Sequence, residues 1–200
     1  MSKDYPIPAG FLECETDVKK SRFIARVAPV SSRDEVRAWL DQAHRDHPDA
    51  RHICWAYQIG RPGSAAEAAM NDDGEPSGTA GKPILNVIQH KDMGDVLVMV
   101  IRYFGGIKLG AGGLVRAYAG AAESVLSQVE RVIQPALQSV QVAMSYADEQ
   151  PVRHWCSQHG AQVVSVDYSA GVQAVVEVPV TSLADFTAFC EAQKLQFTQE

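Results

Sequence analysis

Three features of the sequence predict an α+β chain of two domains. The apolar run 96–101 has no polar break, which suits a strand buried on both faces. Gly105, Gly106, Gly110, Gly112 and Gly113 follow, then a helical pattern with Leu114, Val115, Tyr118, Ala122, Val125 and Leu126 on one face. After Gln134-Pro135 a complete β-α-β-β-α-β pattern begins, the order of a ferredoxin-like domain. The domains are therefore expected at 1–134 and 136–200.

Residues 10–15 and 18–27 read as a hairpin-like pair of strands. Alternation in the second puts Phe23, Ala25 and Val27 on one face and Lys20, Arg22 and Arg26 on the other, with Ile24 among them. That cationic stripe is a candidate phosphate track or a solvated sheet face. Ser32-Arg33-Asp34-Glu35 forms a capping box and starts a helix that ends before Pro48. Its inward positions are Val36, Trp39, Leu40 and Ala43. Residues 51–59 read as a strand, and 60–81 as a polar loop long enough to be functional. A helix from near Thr79-Ala80, with Pro83 in its first turn, reaches His90 and feeds the strand at Val96.

In the second domain, 139–146 alternates as a strand and 148–159 is a helix stopped by Gly160. Two strands, 163–168 and 172–178, flank the turn Ser169-Ala170-Gly171. Residues 182–192 form a helix with Leu183, Phe186, Phe189 and Cys190 inward, and 195–198 a last short strand.

Charge is uneven along the 200 residues. Residues 136–200 hold 2 Lys+Arg and 7 Asp+Glu, a net of −5, against −1 for 1–135. Any nucleic-acid surface should therefore be local and lie in the first domain. No apolar run approaches the roughly 20 residues that span a bilayer, and the N-terminus carries no secretory h-region. Cys14, Cys54, Cys156 and Cys190 lie far apart with no C-x-x-C pair, as expected of a reduced, cytoplasmic protein with free thiols.

Two familiar nucleotide motifs fail. A dinucleotide fingerprint from Gly110 needs glycine where Val115 stands. A P-loop ending in Gly81-Lys82 needs glycine at Pro76 and a hydroxyl residue at Pro83. No cofactor or metal is expected. The cations Arg102, Lys108 and Arg116 bracket the glycine turn, beside free N–H groups and the positive end of a helix dipole. The alternative is that the glycines serve only tight packing and positive φ. Tyr103 and Phe104 are candidates for stacking on bases, or for core.

A rival reading is catalytic. Asp72, Asp73 and Glu75 would hold a divalent ion, and Ser77 or Thr79 beside Lys82 would supply an activated nucleophile. The same stretch also reads as a solvated turn, and the balance leans away from an enzyme. His52 and Cys54 share a strand face and read as packing residues before ligands or a nucleophile pair.

The segments DDGEPSGTAGKPIL (72–85) and IRYFGGIKLGAGGLVRAY (101–118) resemble the signatures of the IMPACT family, bacterial YigZ-like branch. KKSRFIA (19–25) and HICWAY (52–57) fit its other blocks in order. The resemblance covers the chain to about residue 130, and the rest looks like the small C-terminal domain of bacterial members. It implies an N-terminal α/β sandwich with a left-handed β-α-β crossover, similar to domain IV of elongation factor G. The C-terminal ferredoxin-like domain would be similar to domain V of that factor. Eukaryotic members are linked to translational control.

The expected function is thus translation-associated regulation through RNA or ribosome binding. The binding set is Lys20, Arg22, Lys82, Arg102, Gly105, Gly106, Lys108, Gly110, Gly112, Gly113 and Arg116. Asp72, Asp73, Glu75, Ser77 and Thr79 would form a recognition or catalytic loop. Alternatives are a protein-partner module without RNA contact, and a hydrolase or phosphoryl-transfer enzyme.

Overall fold

A computed structural model describes residues 4–169 and 171–199. The described residues form two compact units, one spanning residues 5–134 and the other the described residues from 135 onward together with Asp4. In chain order the first holds β1 (Tyr5–Pro8), β2 (Leu12–Val18), β3 (Ser21–Pro29), α1 (Arg33–Asp46), β4 (His52–Ile59), β5 (Glu67–Asn71), α2 (Gly81–His90), β6 (Val96–Tyr103), α3 (Ala111–Gln128) and β7 (Arg131–Gln134). The second holds β8 (Leu137–Met144), α4 (Glu149–His159), β9 (Gln162–Asp167), β10 (Val172–Pro179), α5 (Leu183–Ala192) and β11 (Gln196–Gln199).

The first unit is built on a five-stranded sheet in the order β2-β3-β6-β4-β5, with every neighbouring pair antiparallel. The apolar run is its central strand, β6, and residues 96–101 are fully buried. One face of the sheet, with Phe23, Ala25, Val27, Cys54, Ala56, Val98 and Val100, packs on α2 and α3. The other, with Ile24, Ile53, Leu97, Met99 and Ile101, packs on α1 through Val36 and Ala43. Burial on both faces explains why β6 shows no alternation.

α1 begins where the capping box predicts, Ser32 Oγ accepting the Glu35 N–H at 3.3 Å and Glu35 bonding back to the Ser31 N–H at 2.7 Å. The small sheet β1-β7 and the edge strand β5 are additions to the sequence reading. β5, Glu-Ala-Ala-Met-Asn, lies inside the expected loop 60–81. Its residues are poor strand formers, so only pairing with β4 reveals it.

The second unit has sheet order β11-β8-β10-β9, all antiparallel. Numbered within the domain this is 4-1-3-2, the ferredoxin-like arrangement. Val140, Val142, Ala174, Val176 and Val178 pack against Val152, Cys156, Phe186 and Cys190 of the two helices. In the expected turn 169–171, Ala170 lies outside the described residues. Among the described residues the cysteines are free, and no helix is long and apolar enough to cross a membrane.

Candidate nucleic-acid interface

Strand register brings the sequence signatures to one end of the first sheet. Val18 pairs with Ser21, Arg22 with Tyr103, His52 with Arg102 and Trp55 with Asn71. The β2–β3 turn, the α1–β4 connection, the β5–α2 loop and the β6–α3 loop therefore leave the sheet at the same edge of its strands. Glu75 of the β5–α2 loop reaches Tyr118 of α3, and Gly78 and Val115 line one groove between α2 and α3.

Residues 72–81 form a frame. The Asp72 carboxylate accepts the N–H groups of Gly78, Ala80 and Gly81 at 2.7, 3.0 and 2.8 Å. It thereby caps α2, whose own N-cap, Ala80, has no capping side chain. Burial opposes the charge on Asp72, but these three donors hold its carboxyl below the usual range. Asp73 has φ 41°, its carboxylate accepts the Ile53 N–H at 2.6 Å, and its carbonyl accepts His52 Nδ1–H at 2.7 Å. The Cys54 thiol donates to the Asp72 carbonyl at 2.9 Å, and burial pushes its pKa up to about 12. Thr79 is buried and donates to the Pro76 carbonyl at 2.6 Å, while Ser77 is exposed.

Glu75 is buried. Its Oε1 accepts Arg102 Nη1 at 2.5 Å and the Tyr118 hydroxyl at 2.8 Å. Burial raises the Tyr118 pKa far above a free phenol's, so the hydroxyl stays protonated and donates. The catalytic arrangement is therefore corrected. Asp72, Asp73 and Glu75 hold three different parts of the frame, and Lys82 stands exposed on α2. Among the described residues no three His, Cys, Asp or Glu side chains are grouped to hold a metal.

Arg102 is a second correction, since its side chain is 8% exposed and ion-paired with Glu75 instead of facing phosphates. β6 alternation puts it on the α2/α3 face beyond Val98 and Val100, where a charge needs a buried partner. The cationic stripe is a third. Lys20 sits in the β2–β3 turn, and Arg26 is buried with Nε on Glu13 at 2.6 Å and Nη1 on Asp46 at 2.7 Å. Arg26 Nη2 also lies 3.1 Å from His47 Nε2, and His47 Nδ1 lies 2.9 Å from the Tyr103 hydroxyl. Arg22 alone of the stripe stays exposed on the strand, its guanidinium carbon 4.6 Å from the Tyr103 ring centre.

Lys19, Lys20, Lys108 and Arg116 also point outward. Sequence reasoning missed Lys19 because it ran the second strand through the turn. Both lysines have positive φ, 47° and 65°, the signature of a type I′ hairpin turn that ordinarily takes Asn-Gly. Gly105 presses against this turn: a Cβ there would lie 1.8 Å from the Lys20 carbonyl oxygen. Gly106 and Gly110 have φ 85° and 71°. α3 starts with no side-chain cap and no acidic residue in its first turn. Its first N–H groups and positive dipole end therefore stand beside Lys19 and Arg116, which line a small cleft with Gly113 and Leu109. Gly112 is exposed on the first turn of α3.

Comparison with known proteins adds lineage. The Impact N-terminal domain model matches residues 19–126, and a domain of unknown function (DUF1949) matches 142–189. The IMPACT family member YigZ of Escherichia coli is 35% identical over 182 residues, covering 91% of this chain and 89% of its own. A crystal structure described only as that of a hypothetical protein shares 33% identity, with TM-score 0.89 over 98% of this chain and 97% of the other. A structure described as that of the two-domain translational regulator Yih1 is 26% identical, covering 62% of this chain and 46% of its own, with TM-score 0.36. With both domains matched in order along its length, the chain belongs to the IMPACT family.

Proposed function

We propose that this chain is a translation-linked regulatory protein that contacts RNA phosphates, free or on the ribosome, through the basic end of its first sheet. The observation that carries the reading is the cleft that Lys19 and Arg116 line beside the uncapped N-terminus of α3, with Lys20 and Lys108 exposed on the two loops that lead to it. Backbone donors with flanking cations suit a phosphate oxygen better than any neutral ligand. Support for the translation link comes from family membership. The regulatory role is described for Yih1, and its extension here is the proposal. A cytoplasmic location belongs to the same proposal.

The carboxylates of the 72–81 loop lend the hydrolytic alternative no support, because each is engaged in holding backbone or Arg102. A protein-partner reading draws on one specific feature, the groove between α2 and α3 lined by Lys82, Pro83, Val87 and Val115. The test is anisotropy with labelled transfer or ribosomal RNA. The RNA reading predicts binding at about 50 mM salt that weakens steeply toward about 200 mM. No binding at the lower salt overturns it and leaves the groove reading.

A further inference from the structure

We propose that the RNA bound at this end is unpaired and that Phe104 stacks on one of its bases; this rests on the RNA reading above. Phe104 is 52% exposed, directly after the last residue of the central strand. The ring belongs to neither hydrophobic cluster of the first unit.

Its support is rigid. The Arg102 guanidinium carbon lies 5.6 Å from the ring centre, and Arg102 is itself locked by Glu75. The next residue, Gly105, donates its N–H to Ser21 Oγ at 3.2 Å and packs on the Lys20 backbone. The ring is thus tethered beside the Lys19–Lys20 turn, and its loop continues to Lys108. A stacking platform gains most when it is fixed before the ligand arrives.

Charge selects among the possible occupants. Residues 104–113 contain no acidic side chain, and neither does the segment 19–22. An exposed ring on a segment whose only charge is the cation Lys108 matches a chain of bases and phosphates. A duplex hides its bases and offers only phosphates and 2′-hydroxyls, so it gives Phe104 nothing to stack on. Single-stranded binders combine these two elements, a cationic track and an aromatic face.

The experiment uses the full chain and two labelled RNAs of about 12 nucleotides, one unstructured and one its duplex. Wild type should prefer the single strand. Phe104→Ala should weaken that binding roughly 5- to 100-fold, leave the duplex unaffected and keep the salt slope unchanged. Phe104→Trp should retain affinity. Equal binding of both RNAs, or equal loss of both in Phe104→Ala, overturns base stacking while the phosphate reading stands. If wild type binds neither RNA, both readings fall and Phe104 with Ile107, 42% exposed, becomes a protein-docking patch. Melting curves of each variant establish that an exposed position was changed without loss of fold.

Discussion

Glu75 and Tyr118, 43 residues apart in sequence, meet at 2.8 Å between the sheet and α3. That contact joins the two segments that carry the family resemblance. With Arg102 as third member it turns an acidic loop into a clamp on the helix whose N-terminus faces outward.

The clamp makes a stability prediction. Glu75→Ala leaves Arg102 charged and buried without its partner, and should cost about 3–5 kcal/mol. Asp72→Ala removes the cap of α2 and should cost about 1–2 kcal/mol. Ser77→Ala, on the exposed part of the loop, should stay within about 0.5 kcal/mol. Urea unfolding of the three variants checks the order. Equal, small effects would mean that the loop is not a frame.

His47 gives a pH dependence. Burial, then the charge of Arg26, hold its pKa below the ordinary 6.5, against the opposing pull of Glu13 and Asp46. Its Nε2 accepts from Arg26, so the neutral ring is the bonded form. The unfolded chain takes up this proton first, so stability is full above about pH 6.5 and falls as pH drops toward the folded pKa. Melting temperatures of wild type and His47→Gln, measured from pH 7.5 to about pH 5, should converge as the pH falls. A constant gap would contradict the assignment.

The Lys19–Lys20 turn predicts opposite effects on stability and binding. Lys19→Asn with Lys20→Gly supplies the residues that positive φ favours and should stabilise the fold by about 1 kcal/mol or more. The same double variant removes two cations and should weaken RNA binding. Thermal melts and anisotropy on one preparation read both, and a variant that binds RNA as wild type does would remove the turn from the interface.

The second unit should fold alone. Its ten-residue buried cluster is drawn entirely from residues 140–195. Residues 136–200 expressed by themselves should melt cooperatively and bind no RNA, given their net charge of −5. An unfolded circular dichroism spectrum would move the boundary.

Much of this was legible in the sequence, and the misses have physical causes. β6 and the ferredoxin-like pattern were readable because burial imposes the residue types directly. β5 was not, because its alanines and Met70 carry no strand signal without β4 beside them. Arg102 and Lys108 look alike in a motif. The difference lies in strand alternation, which aims Arg102 into the core and toward Glu75. The Lys19–Lys20 turn has no glycine or asparagine to mark it, so alternation alone runs the stripe straight through a reversal of the chain.

RNA phosphates are proposed to meet the basic end of the first sheet. The most direct measurement is the salt dependence of RNA affinity in single variants. Lys108→Ala and Arg116→Ala should each flatten the slope of log K against log salt by about 0.7–0.9, one phosphate contact apiece. Arg153→Ala, on α4 of the second unit, should leave the slope unchanged. Slopes identical to wild type in Lys108→Ala and Arg116→Ala would contradict the account.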